Sequence, residues 1–129
     1  MRACWLILAL AACGGGGTSV DASHIDTPPP IDAPPPTVFK VNCPATPDAT
    51  IGTTDALPFA YMPTSAMIPV NGVVQFVMPA IHDVEPNAMM SDSGLHAPFN
   101  ATTCLMFTKQ GTFGFHCGPH LFQGSITVQ

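Results

Sequence analysis

The chain has 129 residues, with 47% hydrophobic and 9% charged residues and a formal net charge of −5, enough for one compact domain. The acidic balance excludes a nucleic-acid binder, which needs a basic face. No apolar run reaches the roughly 18 residues of a membrane-spanning helix.

The first residues are MRACWLILALAAC. Arg2, an apolar run from Trp5 to Ala12 and the small pair Ala11-Ala12 form the pattern of a secretory signal, too short to cross a bilayer. Leu10-Ala11-Ala12-Cys13 resembles a bacterial lipobox. That resemblance implies removal of residues 1–12 and a lipid on Cys13, which would be the only membrane attachment; an ordinary secretory signal cut elsewhere is the alternative. Residues 13–36 are rich in Gly, Ser, Asp and Pro, and IDTPPP is echoed by IDAPPP. Such a segment buries too little apolar surface to offset its ordering entropy and is expected to be a disordered spacer, with His24 solvated. Cys4 goes with the signal and Cys13 carries the lipid, so Cys43, Cys104 and Cys117 remain. Outside the cytoplasm an odd count leaves one thiol for another task.

From Thr37 the composition changes. TVFKVNC alternates apolar and polar residues as a half-buried strand does. IPVNGVVQFVM sets an Asn71-Gly72 turn signal between two apolar runs. CLMFT and GTFGFHC are short β-rich runs separated by Lys109-Gln110-Gly111, and GSITVQ is a last alternating strand. No helical period extends beyond two turns. Close-spaced strands with Gly and Pro turns predict one all-β sandwich or barrel over residues 37–129, with seven or eight strands.

The segment GTFGFHCGPHLFQGSITV, residues 111–128, carries the chemistry. A strand runs into Cys117, a turn passes through Gly118-Pro119 to His120, and a final strand follows. Thiolate and imidazole thus share one short loop held at both ends. G-T-F-x-F-x-C-x-P-H, followed by a Gly and an alternating strand, resembles the copper loop of plastocyanin, pseudoazurin and amicyanin, members of the cupredoxin family. FAYMPTSAMIPVNGVVQFVM, residues 59–78, is similar to the family's strand pair, and AIHDV at residues 80–84 to its first-histidine motif. The resemblance covers most of residues 53–129. It implies a Greek-key β-sandwich and one type 1 copper held by His82, Cys117 and His120. The chemistry agrees: two imidazoles and a thiolate, with a weak axial fourth ligand, form the donor set of electron-transfer copper sites. His96, in DSGLHA, is the rival first ligand but has no apolar strand delivering it. His116, next to Cys117 on a strand, is expected to point to the opposite face.

The family's axial Met has no counterpart after His120. Counting forward from His120, the axial slot falls on Gln123, the preferred choice; counting back from Gly124, it falls on Phe122. Asp83 stands where the family often has Asn, and an ionised Asp can only accept hydrogen bonds. Asp83 and Glu85 either add negative charge near the metal or are solvated. With Cys117 assigned to the metal by resemblance, Cys43 and Cys104 are left to form a disulfide, or a second thiolate site with His96. Met67, Met78 and Met106 are expected as core filler; Met89 and Met90 would pack near the site or offer thioethers to Cu(I).

The resemblance implies single-electron transfer between extracytoplasmic redox partners, with His120 as the exit. Pro119, Leu121 and Phe122 would form a docking patch, and a basic partner protein would suit the acidic chain. The chain is expected as a non-enzymatic monomer facing the periplasm or cell exterior, since one short domain lacks the further histidines of a multicopper oxidase. Copper storage or delivery without electron transfer is the alternative function, and a copper-free adhesion module a third.

Overall fold

Alternation is the rule along the central strands, and it builds the interior. The computed structural model describes residues 34–88 and 91–129, and the described chain forms one compact unit from Pro34 to Gln129. The signal, Cys13, His24 and the pair Met89 and Met90 lie outside the described residues. Nine strands are present among the described residues: β1 (Val38–Val41), β2 (Ala49–Thr53), β3 (Tyr61–Met62), β4 (Ser65–Ile68), β5 (Gly72–Met78), β6 (Glu85–Pro86), β7 (Ala101–Phe107), β8 (Gly111–His116) and β9 (Gln123–Val128). The excess over the expected seven or eight comes from β3 and β6, which have only two residues each.

The strands form a five-stranded sheet, ordered β1-β7-β5-β2-β3, and a four-stranded sheet, ordered β4-β9-β8-β6, packed as a Greek-key sandwich. Along β5, Val74, Phe76 and Met78 point inward at alternate positions, as a two-residue period requires. Leu105 and Phe107 of β7, Phe113 and Phe115 of β8, and Ile126 and Val128 of β9 meet them in one core. The β2–β5 and β4–β9 pairs are parallel; the other strand pairs are antiparallel. Met78 is buried as expected, but Met67 is exposed because β4 is an edge strand and Met67 points outward from it.

Asn71-Gly72 does make a turn, but it joins β4 of one sheet to β5 of the other. Asn71 has φ of 65°, and the Gly72 N–H donates to the Pro69 carbonyl at 2.9 Å. A Cβ on Gly72 would stand 2.7 Å from that carbonyl, so only glycine fits. Lys109-Gln110 likewise carries β7 over to β8 of the other sheet. Of the strands consecutive in the chain, only β2–β3 and β8–β9 pair with each other.

Two devices tie β1 to the rest. Cys43, just past the end of β1, forms a disulfide with Cys104 on β7, and Val41 is the cross-strand neighbour of Cys104. The second thiolate site with His96 is thereby ruled out, since each sulfur is bonded to the other. At the start of β1, Asp92 accepts hydrogen bonds from the Thr37 backbone N–H, from the Thr37 hydroxyl at 2.9 Å and from the Gly94 N–H at 2.8 Å. Partial burial pushes the Asp92 carboxyl up, but the Thr37 and Gly94 N–H groups, the Thr37 hydroxyl and the Val38 N–H outweigh it and hold its pKa below the usual carboxylate range.

Replacing both Cys43 and Cys104 by Ser is expected to lower stability by about 4 kcal/mol, the chain-entropy value for a loop this long, read by denaturant unfolding under non-reducing conditions. Asp92→Asn is expected to cost about 1 kcal/mol near neutral pH, allowing for solvent screening of a partly exposed carboxylate. The folded carboxyl has the lower pKa, so its contribution is full above the unfolded value and drains as pH falls through the folded one. The stability gap between wild type and Asp92→Asn should therefore close in acid; a gap independent of pH would show that the charge contributes nothing.

Candidate metal centre

The centre lies where the chain leaves one sheet for the other. After β5 ends at Met78, the His82 N–H points back to the Pro79 carbonyl at 3.4 Å. The chain then bridges Val84 to Ala97 and enters β6 in the four-stranded sheet. His82 and Asp83 occupy this crossing and are both buried. Cys117 follows the last residue of β8. Its N–H donates to the Phe122 carbonyl at 3.0 Å, and its own carbonyl accepts from the Leu121 N–H at 2.8 Å. Leu121 takes a positive φ of 60° to close this loop.

The structure brings His82, Cys117 and His120 together: one ligand atom from each lies within 4.8 Å of the others, with His82 and Cys117 buried and His120 exposed. Cys117 Sγ is 3.6 Å from His82 Nδ1 and 3.6 Å from His120 Nδ1. Taking the bond lengths thiolate and imidazole make to zinc, about 2.3 and 2.0–2.1 Å, at angles between tetrahedral and trigonal, sulfur and nitrogen should stand roughly 3.6–3.8 Å apart. The cluster has the composition and spacing of a mononuclear metal site with one soft and two borderline donors. Burial pushes the Cys117 thiol up, while the backbone N–H groups of Asp83 and His120 act in the opposite direction. A metal must therefore displace a proton to bind there.

Polar braces hold the two ligand-bearing segments. Asp83 Oδ1 accepts the Gly118 N–H at 2.8 Å, joining the His82 segment to the Cys117 loop. The acceptor-only chemistry of a carboxylate is sufficient for this bond. The Tyr61 hydroxyl donates to the Asp83 carbonyl at 2.6 Å. Burial, followed by the negative charges of Cys117, Asp83 and Glu85, pushes the Tyr61 hydroxyl far above its ordinary pKa, so it stays a donor at any working pH.

The structure places Phe122, not Gln123, beside the ligands. Cross-strand neighbours share a face of a sheet. Gln123 pairs with His116, and the Cys117–Phe122 hydrogen bond continues that ladder by one pair. Phe122 therefore shares the inward face of Cys117, while Gln123 shares the outward face of His116. The Phe122 ring meets His82 edge-on at 5.0 Å and stacks on His120 at 6.4 Å. The Gln123 side chain is exposed and lines an outer groove with Thr64, Asn87 and Thr112. Counting back from Gly124 is the register the fold adopts. Phe122 also leaves the expected docking patch, because it packs against the core; Pro119 and Leu121 remain exposed beside His120.

His116 faces outward as its position predicts, its Nδ1 2.8 Å from Asn87 Oδ1. His96 is not part of the cluster; its Nε2 lies 3.9 Å from Glu85 on the surface. Glu85 is thus a solvated side chain and Asp83 a buried one at the centre. Sequence reasoning missed Phe59, whose ring meets His82 at 5.0 Å and His120 at 4.7 Å. It opens the strand-pair segment of the family resemblance, but no local pattern marks it as a neighbour of the ligands.

No protein-family model and no curated protein matches the chain. Solved structures do. A reduced Cu(I) form of an amicyanin variant is similar with a TM-score of 0.58 at 20% identity, covering 72% of this chain and 99% of that one. Amicyanin from Paracoccus versutus gives 0.56 at 16% identity, covering 74% and 100%. A pseudoazurin from Sinorhizobium meliloti gives 0.55 at 17%, covering 63% and 72%. The fold is cupredoxin-like. At these identities the likeness is one of fold, and the chemistry rests on the residues of this chain.

Tyr61→Phe removes the donor to the buried Asp83 carbonyl and is expected to destabilise the chain by about 1–3 kcal/mol, measured by denaturant unfolding. An unchanged midpoint would show that the carbonyl finds another partner.

Proposed function

We propose that this chain is a type 1 copper protein that carries single electrons between extracytoplasmic redox partners. The carrying observation is the cluster of one buried cysteine sulfur and two imidazoles, with sulfur-to-nitrogen distances of 3.6 Å, mounted on a braced crossing and a closed hairpin loop. Bound copper would supply the one-electron step, cycling between Cu(I) and Cu(II). The chain's own residues do the rest. Cys117 offers a soft donor suited to Cu(I), and the two Nδ1 atoms suit both oxidation states. The hydrogen bonds of Asp83, Tyr61 and Phe122 hold the donors in one arrangement, which keeps reorganisation small.

Phe122 in place of a fourth donor leaves an apolar neighbour, which favours Cu(I) and raises the potential relative to an oxygen ligand; the Asp83 carboxylate acts in the opposite sense. The exposed His120 edge, with Pro119 and Leu121 beside it, is the proposed electron exit, and the acidic chain would favour a basic redox partner. The Cys43–Cys104 disulfide supports a location outside the reducing cytoplasm, where a lipid on Cys13 would tether a monomeric domain through the proline-rich spacer. The alternative of copper delivery depends on Met89 and Met90, which lie outside the described residues.

The test is the visible and EPR spectrum of the purified chain with Cu(II). An intense thiolate-to-copper charge-transfer band, lost in Cys117→Ser, is expected. Ordinary tetragonal copper, unchanged by Cys117→Ser, would overturn the reading.

A further inference from the structure

Ligating histidines usually donate their far ring nitrogen to a carbonyl or carboxylate, which fixes the ring. His82 does not: its Nε2 is buried with no hydrogen-bond partner among the described residues. Its ring is instead surrounded by three others, each edge-on. Phe59 is at 5.0 Å with a 70° interplanar angle, His120 at 4.8 Å with 72°, and Phe122 at 5.0 Å with 81°. Phe59 also touches His120 at 4.7 Å. Phe59 thus contacts both imidazoles, and Phe122 contacts His82 and stacks more distantly on His120; no contact between the two phenyl rings is present among the described residues.

The two walls differ in how they are held. Phe122 belongs to the hairpin and also packs on Tyr61 at 4.6 Å. Phe59 sits on the loop between β2 and β3, which Thr54 clasps. The Thr54 N–H donates to the Ala60 carbonyl at 2.9 Å. The Thr54 hydroxyl accepts from the Ala60 N–H at 2.8 Å and donates to the Pro58 carbonyl at 3.1 Å. The clasp presents Phe59 to the ligands although it lies on no strand.

We propose that Phe59 is a positioning residue of the metal centre: with Phe122 it clamps the two imidazoles by ring packing in place of a hydrogen bond to His82, and it closes the three-donor centre to outside ligands. This rests on the copper reading above. Phe59 packs on both imidazoles and Phe122 lies beside them, and this apolar wall would keep small anions and water from the metal. The exposed His120 edge stays free for a partner, so closure of the centre and access for electrons are separate properties of the site.

The experiment is a titration of the Cu(II)-loaded full chain with azide, followed by visible and EPR spectra, for wild type, Phe59→Ala and Phe59→Leu. Wild type is expected to show the Cys117-dependent charge-transfer band and no response to azide. Phe59→Ala should shift the band and bind azide at least about tenfold more tightly, and Phe59→Leu, which restores bulk without the ring, should return the centre to azide resistance. A Phe59→Ala protein that is merely less stable, with the wild-type spectrum and azide resistance, would overturn the clamp and leave the copper reading standing. Azide binding by wild type would likewise overturn the closure. A wild type without the charge-transfer band would overturn both readings at once.

Discussion

The hydrogen bond from the Cys117 N–H to the Phe122 carbonyl sets the register on which the rest of the site depends. It extends the β8–β9 ladder one pair beyond His116 and Gln123. Because side chains alternate along each strand, that single extra pair decides which residues enter the site. Cys117 and Phe122 go inward; His116 and Gln123 go outward. A register slip of one residue would exchange the two sets and dismantle the centre. Gly124 protects the register: a Cβ there would fall 2.5 Å from the Phe115 ring, its cross-strand neighbour.

The second half of the site arrives by a different route. β5 belongs to the five-stranded sheet and β6 to the four-stranded one, so the residues between them must bridge the sandwich. His82 rides on that bridge. Apart from the Val84–Ala97 bridge, this segment has no ladder partner among the described residues, and its other backbone polar groups must be satisfied otherwise. The Tyr61 hydroxyl takes the Asp83 carbonyl, and the Asp83 carboxylate takes the Gly118 N–H. These bonds satisfy buried groups and also join the bridge to the Cys117 loop, so local backbone satisfaction and ligand placement have the same physical cause.

Rigidity at the site and attachment of β1 use different chemistry. Around the ligands, ring packing and buried hydrogen bonds dominate. At β1, which is an edge strand, a disulfide and a carboxylate latch hold the chain. An edge strand has a ladder partner on one side only, so covalent and charge-assisted ties are effective there.

Much of this was legible in the chain itself. Alternation in GVVQFVM and GTFGFHC announced strands, and the resemblance of the Cys117–His120 loop and the AIHDV segment to the cupredoxin copper motifs implied His82, Cys117 and His120 as the donor set. Strand alternation alone placed His116 on the far face. Counting from His120 favoured Gln123 over Phe122, and the pairing of two strands instead turns Phe122 inward, because a count along one segment does not say which residue faces its partner. Nor did the sequence show that Asn71-Gly72 joins two sheets, since a turn residue reports local φ and not the partner of the strand that follows. Phe59 was invisible for the same reason: it touches His82 and His120 across more than twenty residues of chain, and no local pattern encodes a contact made only when distant segments pack. What the sequence determined was the chemistry of the donors and the period of the strands; what only the tertiary structure decided was register, sheet membership and the ring packing around the donors, because these arise from pairing between segments far apart in the chain.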